Sequence, residues 1–461
     1  MKKILSTAAV VALAGAVALA GQAPAPPTYA IRGAKIVPVS GAVINSGNIV
    51  LRNGLIEAVG ASAAIPADAI VIDGKGLTVY PGLIDMGNAT PIAQPEGDNQ
   101  PQGGFFGTPA RPGQTREDQE REKRERILRA NYKATEHLRL TGDALTAIAS
   151  TGVTTVLATP PGAVFRGQSA LVNVVAAADS PQIGAVADIR STLPVIKPVV
   201  ATHVGFNPGF GPYPGSLMGA ISFVRQSFID AAWQRQALAH YEKNPASPRP
   251  AWDPLLQGLL PAIDGQIPVA FVANQAREIG RVLSLAKEFN VKPVVTGARE
   301  ADAMTAELKA ANTPVIYSLN YPTRPRTLAP DAEESLDALR TRANAPKVPA
   351  ALAKAGVLFA FESDGLRQPG DFVRNAAKAV HEGGLPADAA LRALTLDAAR
   401  IAGAERSVGS LEPGKIANIV ITDGDLFDEK SSVKYVFVDG HKVAIAAASQ
   451  ASPARRGNSP D

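Results

Sequence analysis

Val79-Tyr80-Pro81-Gly82-Leu83-Ile84-Asp85-Met86 marks the point where the pattern of this chain changes. On its N-terminal side, from Tyr29 to Tyr80, the sequence reads as all-β. Asn53-Gly54 separates the apolar run Ile49-Val50-Leu51 from Leu55-Ile56-Glu57-Ala58-Val59. An Asn-Gly pair between such runs predicts a two-residue hairpin, because both turn residues tolerate positive φ. On the C-terminal side, strand-like runs alternate with helical periodicity. Leu83 to Met86 is the first run, and others lie at 152–157, 198–202, 268–272, 293–295, 314–317 and 356–361. Between Gln275 and Asn290, Ile279, Val282, Leu283, Ala286 and Phe289 form one helical stripe. Near-continuous apolar strands joined by such helices predict a parallel sheet covered by helices. Seven strands approach the eight of a (β/α)8 TIM barrel. No Gly-x-Gly-x-x-Gly follows a strand, which disfavours an open doubly wound sheet.

The far end returns to β-structure. Ala417 to Ile421 reads as a strand, and Asp439-Gly440 as a second hairpin turn after Tyr435-Val436-Phe437-Val438. Residues 29–80 and 408–446 therefore predict a composite β-sandwich built from both ends, with 81–407 as the barrel. An insert at 90–139 interrupts it: a Pro/Gly/Gln-rich loop to Gln114, then a charged helix from Thr115 to Arg139. Residues 447–461 predict a disordered tail. At the start, Met1-Lys2-Lys3 and an Ala-rich run to Ala20 predict a signal peptide over 1–20, followed by a flexible lead-in over 21–28. The run is short and Ala-rich for a membrane span. The expected location is periplasmic or secreted, with no membrane span after cleavage.

Composition narrows the chemistry. The 461 residues contain no Cys, which rules out disulfides, thiolate zinc sites and thiol nucleophiles. With only five His, a histidine-rich metal centre would need nearly all of them together. Formal charge is +4, and loss of Lys2 and Lys3 with the leader lowers it by two. Aromatics are 5% and no basic stretch interleaves with them, so nothing points to nucleic acid.

Three segments taken together resemble the amidohydrolase superfamily: Val79 to Met86, Leu385 to Arg400, and Val408 to Val420. The likeness runs from about Tyr29 to Val443 and is greatest to the imidazolonepropionase-like branch. It implies a (β/α)8 barrel with a composite β-sandwich. It also implies one or two divalent metals, held by His-x-His after strand one, a carboxylate or modified lysine at strand four, single histidines at strands five and six, and an aspartate at strand eight. At the first pair this chain has Gly87-Asn88-Ala89. Phe206 stands where the carboxylate is implied, Asn274 near the strand-five histidine and Gly297 near the strand-six histidine. Only Asp364, in Glu362-Ser363-Asp364-Gly365, matches. One carboxylate cannot hold a catalytic zinc, which takes about three protein ligands.

Other candidates surround that expected pocket. His203, closing Ala201-Thr202-His203, reads as a pocket histidine, and His137, His240, His381 and His441 share no ligand spacing with it. Arg166 and Gln168 read as a loop able to take an anion or amide. The loop Gly205 to Gly215 reads as aromatic filling through Phe206, Phe210 and Tyr213. The expectation is an exported, catalytically degenerate paralogue with no cofactor and a vestigial Asp364. It would act as partner of an active amidohydrolase, as a self-oligomer, or as binder of a small amide or peptide-like ligand. The alternative is a zinc hydrolase of non-peptide C–N bonds using non-family ligands such as Asp364 with His203.

Overall fold

The computed structural model describes residues 26–92, 115–138, 142–162, 164–174, 195–207, 213–329 and 331–445. The expected signal peptide, most of the expected lead-in, residues 93–114 of the expected insert and the expected tail lie outside the described residues.

Both ends of the chain build one sheet. From the N-terminal segment come β1 (Tyr29–Ile36), β2 (Ile44–Arg52), β3 (Leu55–Gly60), β4 (Ile70–Asp73) and β5 (Thr78–Pro81). From the C-terminal segment come β16 (Ile419–Thr422), β17 (Val433–Val438) and β18 (His441–Lys442). The seam is antiparallel, with Val79 opposite Ile421 and Pro81 opposite Ile419. The order is β18-β17-β16-β5-β1-β2-β3, with β4 also on β1. The edge of β1 is shared: Tyr29 to Arg32 pair with β4, and Lys35 and Ile36 pair with β5. Gly33 sits at the changeover with φ +71°, beside a register shift that lets the strand bend. The strands of both ends thus form one hydrogen-bonded sheet domain. Ile31, Ile49 and Leu51 from one end share a core with Ile419, Ile421 and Phe437 from the other. Both hairpin turns form as their sequences dictate, at Asn53 (φ 52°) with Gly54 (φ 78°) and at Asp439 (φ 53°) with Gly440 (φ 75°).

Between these segments the chain alternates strands and helices. The strands are β6 (Leu83–Asn88), β7 (Val153–Ala158), β8 (Phe165–Gln168), β9 (Ala170–Asn173), β10 (Val195–Lys197), β11 (Thr202–Val204), β12 (Val269–Ala273), β13 (Pro293–Gly297), β14 (Val315–Ser318) and β15 (Phe359–Glu362). They form a four-stranded sheet, β10-β9-β7-β6, and a six-stranded sheet, β15-β14-β13-β12-β11-β8. β6 and β7 pair in parallel, as do β11 through β15. The two sheets are joined at two places. On one side β8 runs into β9 through Ser169. On the other, Asp85 of β6 accepts bonds from Ser363 just after β15. The arrangement is TIM-barrel-like: Ile84, Met86, Leu157, Leu171, Ala270, Val294, Ile316 and Ala360 join in one inner cluster.

The outer faces pack on helices. Helix Ala276–Phe289 buries Ile279, Val282, Leu285 and Ala286, while Leu283 and Phe289 are half-buried at its flanks. It stops at Asn290 in the left-handed conformation (φ 53°).

Two expectations need correction. Arg166 and Gln168 lie on a strand and not in a loop, and that strand is antiparallel: β8 pairs with β11, and β9 with β7. Only residues 159–164 separate β7 from β8. A parallel crossover needs about a dozen residues or more, so a short Pro-Pro-Gly turn must send the chain straight back. The charged helix is also shorter than its charge pattern. It spans Arg116–Ile127, opened by a capping box between Thr115 and Asp118. Beyond it, Leu128, Ala130, Ala134 and Leu138 are buried, and Leu128 and Lys133 bridge to Phe165 and Gln168. Burial of this apolar stretch against β8 displaces helix. His137 thus leaves the helix and stacks on Tyr132 at 4.2 Å.

Candidate functional site

At the C-terminal ends of the parallel strands lies a cavity of about 50 Å³. Its walls are Gly87, Thr159, Arg166, His203, Val272, Thr296, Glu362 and Asp364.

Glu362 is its deepest acid. All four residues of β15 are buried. Alternation sends Phe359 and Phe361 to the helix-covered side and Ala360 to the inner cluster, so Glu362 shares the inward face of Ala360. Gly297 N–H donates to its Oε1 at 3.1 Å. Burial pushes its carboxyl well above the ordinary range, helped by the like charges of Asp364 and Asp85 and opposed by Arg166. Asp364, two residues on, is exposed at the mouth.

Arg166 projects from β8 toward these carboxyls. Its Nε is buried without a hydrogen-bond partner. Burial lowers its affinity for a proton, while Asp364 and then Glu362 oppose that effect through space. No ion pair joins it to either acid among the described residues. His203, on β11, is almost fully buried, and its Nε2 meets Ser169 Oγ at 2.8 Å. Burial, then the Arg166 charge, pushes it down to about 3, so the ring is neutral at pH 7.

Asp85 supports the site from behind. It accepts from Ser363 N (2.9 Å), Ser363 Oγ (2.5 Å), Asn88 Nδ2 (3.0 Å) and Gly87 N (3.2 Å). Burial still pushes it up to about 6, against those bonds.

The sequence candidates divide accordingly. Gly87, Arg166, His203 and Asp364 line the cavity. Asn88 lies just behind it, donating to Asp85 and Ser363 and accepting from Thr90 N–H at 2.9 Å. Ala89 is half-buried beyond it. Asn274 presses against Gly297, where a Cβ would meet its Oδ1 at 2.6 Å. Gln168 is spent on the carbonyls of Gly258 (3.1 Å) and Ala130 (3.5 Å). Of the described residues in the Gly205–Gly215 segment, Phe206 stacks on Phe271, at 6.2 Å, in the helix-side core, and Tyr213 packs on Phe223, so neither fills the cavity. Phe210 lies outside the described residues. Glu362, Asp85 and Ser169 escaped the sequence reading. The available signal was an acid ending an apolar strand, in Phe359-Ala360-Phe361-Glu362.

A larger surface depression of about 360 Å³ lies beside Tyr321, Arg324, Arg342 and Lys378. There Arg324 and Arg342 are already engaged by Glu334.

Comparison with known proteins agrees with this architecture. Residues 267–443 match the amidohydrolase family. The fold is similar to that of an amidohydrolase from Thermotoga maritima, 23% identical, over 90% of this chain and 99% of that one, with a TM-score of 0.69. A prolidase complexed with N-methylphosphonate-L-proline is similar over 90% of this chain and 99% of its own, at 16% identity and a TM-score of 0.50. No curated protein matches the chain.

Proposed function

We propose that this chain, which carries an amidohydrolase family domain over 267–443, is a metal-free, non-catalytic relative of that superfamily. In this reading it closes a full barrel, falls in the imidazolonepropionase-like branch, is exported to the periplasm or beyond, and serves as a small-ligand binder that also assembles with itself or an active paralogue. The observation that carries it is Arg166, a guanidinium set among the acids of the pocket.

The donor set does not fit the zinc that the resemblance implies. Gly87, Ala89, Phe206 and Gly297 offer no side-chain donor, and Asn274 offers only a neutral amide. A Cβ on Gly87 would stand 2.6 Å from Glu362 Oε2, so the Glu362 carboxyl fills the space a ligand side chain there would need. Among the described residues no three His, Asp or Glu side chains group closely enough to hold a cation. Arg166 then repels a dication and supplies the balancing charge itself.

Assembly is supported by the outer helix Leu217–Lys243, where Met218, Ile229 and Trp233 are exposed on one face. Trp252 is exposed as well. Such apolar exposure marks interaction surfaces.

The test is a hydrolysis screen of cyclic amides, N-acyl amino acids and dipeptides, with and without added zinc. The proposal expects no rate above buffer in either arm. Zinc-dependent, chelator-sensitive cleavage would establish the alternative, a C–N hydrolase using Asp364 with His203.

A further inference from the structure

We propose that the cavity binds a small zwitterion, a carboxylate bearing a positively charged nitrogen, with the carboxylate on Arg166 and the nitrogen facing Asp364. This rests on the metal-free reading of the same site and goes on to name its ligand class.

Four observations carry it. First, Arg166 is a desolvated cation without a hydrogen bond or ion pair among the described residues, and its Nε is orphaned. Guanidinium is planar and forked, which matches a carboxylate through two parallel bonds. Second, the cavity is small. A buried water needs about 10–15 Å³ of such space, so about 50 Å³ takes a carboxylate and one or two carbons. Ordinary ligand pockets run to roughly 300–1,000 Å³. Third, burial raises the proton affinity of the Glu362 carboxyl, which lessens the repulsion an ordinary ionised acid there would exert on an incoming carboxylate. Fourth, Asp364 is exposed at the mouth of the same cavity. A ligand with a second negative charge is repelled there, and one with a cationic nitrogen is attracted. Any larger substituent extends past Asp364 into solvent.

The experiment is titration of the mature full-length protein at pH 7 with glycine, acetate and methylammonium at matched ionic strength, read by thermal shift and calorimetry. Glycine should stabilise most, acetate less and methylammonium not at all. Arg166→Gln should abolish the glycine response. Arg166→Lys, which keeps the charge without the fork, should weaken it about tenfold. Asp364→Asn should weaken glycine up to about fivefold, as for an exposed pair, and leave acetate no weaker. The proposal is overturned if no ligand shifts the protein, if glycine and acetate act alike in wild type and Asp364→Asn, or if Arg166→Gln responds as wild type. Metal content is measured on the same preparation. Stoichiometric zinc would overturn the metal-free reading itself, whereas a metal-free protein deaf to glycine would overturn only this inference.

Discussion

Asp85 and His203 place opposite demands on the protonation of the same buried region. Asp85 is pushed up to about 6 by burial, from 3.8 when unfolded. Folding therefore takes up a proton between about pH 4 and 6, and its contribution falls by about 3 kcal/mol as pH rises through that window. The raised carboxyl of Glu362 acts with the same sign. His203 is pushed down to about 3, from 6.5. Folding excludes its proton, so stability is gained as pH rises from about 3 to 6.5. Over pH 4–6 the two largely mask each other in wild type. Asp85→Asn should unmask a steeper rise of stability with pH, and His203→Gln, which keeps a partner for Ser169, should unmask a fall. Urea denaturation from pH 4 to 7 measures both. Coincident profiles for all three proteins would refute the assignment. At this scale the sequence was only partly legible. Asp364 was identifiable from Ser363-Asp364-Gly365, but Glu362 was not. Its role depends on which face of β15 it shares with Ala360, and on Gly87 leaving room for it.

The element that most shapes the site is the turnback from β7 through β8 and β9. It puts Arg166 into the cavity and Ser169 under His203. A helix crossover in its place would carry neither. Gly167 lets β8 lie against the 128–138 segment: its φ is +117°, and a Cβ there would lie 2.6 Å from the Tyr132 carbonyl oxygen. Gly167→Ala should destabilise the fold by roughly 1–3 kcal/mol, read as a lower denaturation midpoint. A neutral result would mean that β8 is not held against the 128–138 segment. Most parallel strands were legible as apolar runs, because burial on both faces removes the polar alternation. The antiparallel pair was not. Phe165-Arg166-Gly167-Gln168 is short and polar, and its pairing depends on partners distant in sequence.

For the whole molecule, two features set the expectations. The sheet is closed by β16 sitting between β5 and β17, so chain ends far apart in sequence form one cooperative unit. The hairpins at each end were legible from Asn53-Gly54 and Asp439-Gly440, which are local signals, whereas the β5–β16 seam depends on partners far apart in sequence. The outer helix carries the exposed Trp233. Sedimentation velocity should show an oligomer, and Trp233→Ser should shift it toward monomer; a monomeric wild type would remove the assembly part of the reading. In the proposed reading, Arg166 supplies at the cavity the charge that a metal would otherwise bring. The most direct test is zinc stoichiometry by elemental mass analysis of protein purified from zinc-supplemented cells. The account predicts far less than one zinc per chain, unchanged in Arg166→Gln. One or two zinc ions per chain in the wild-type protein would contradict it.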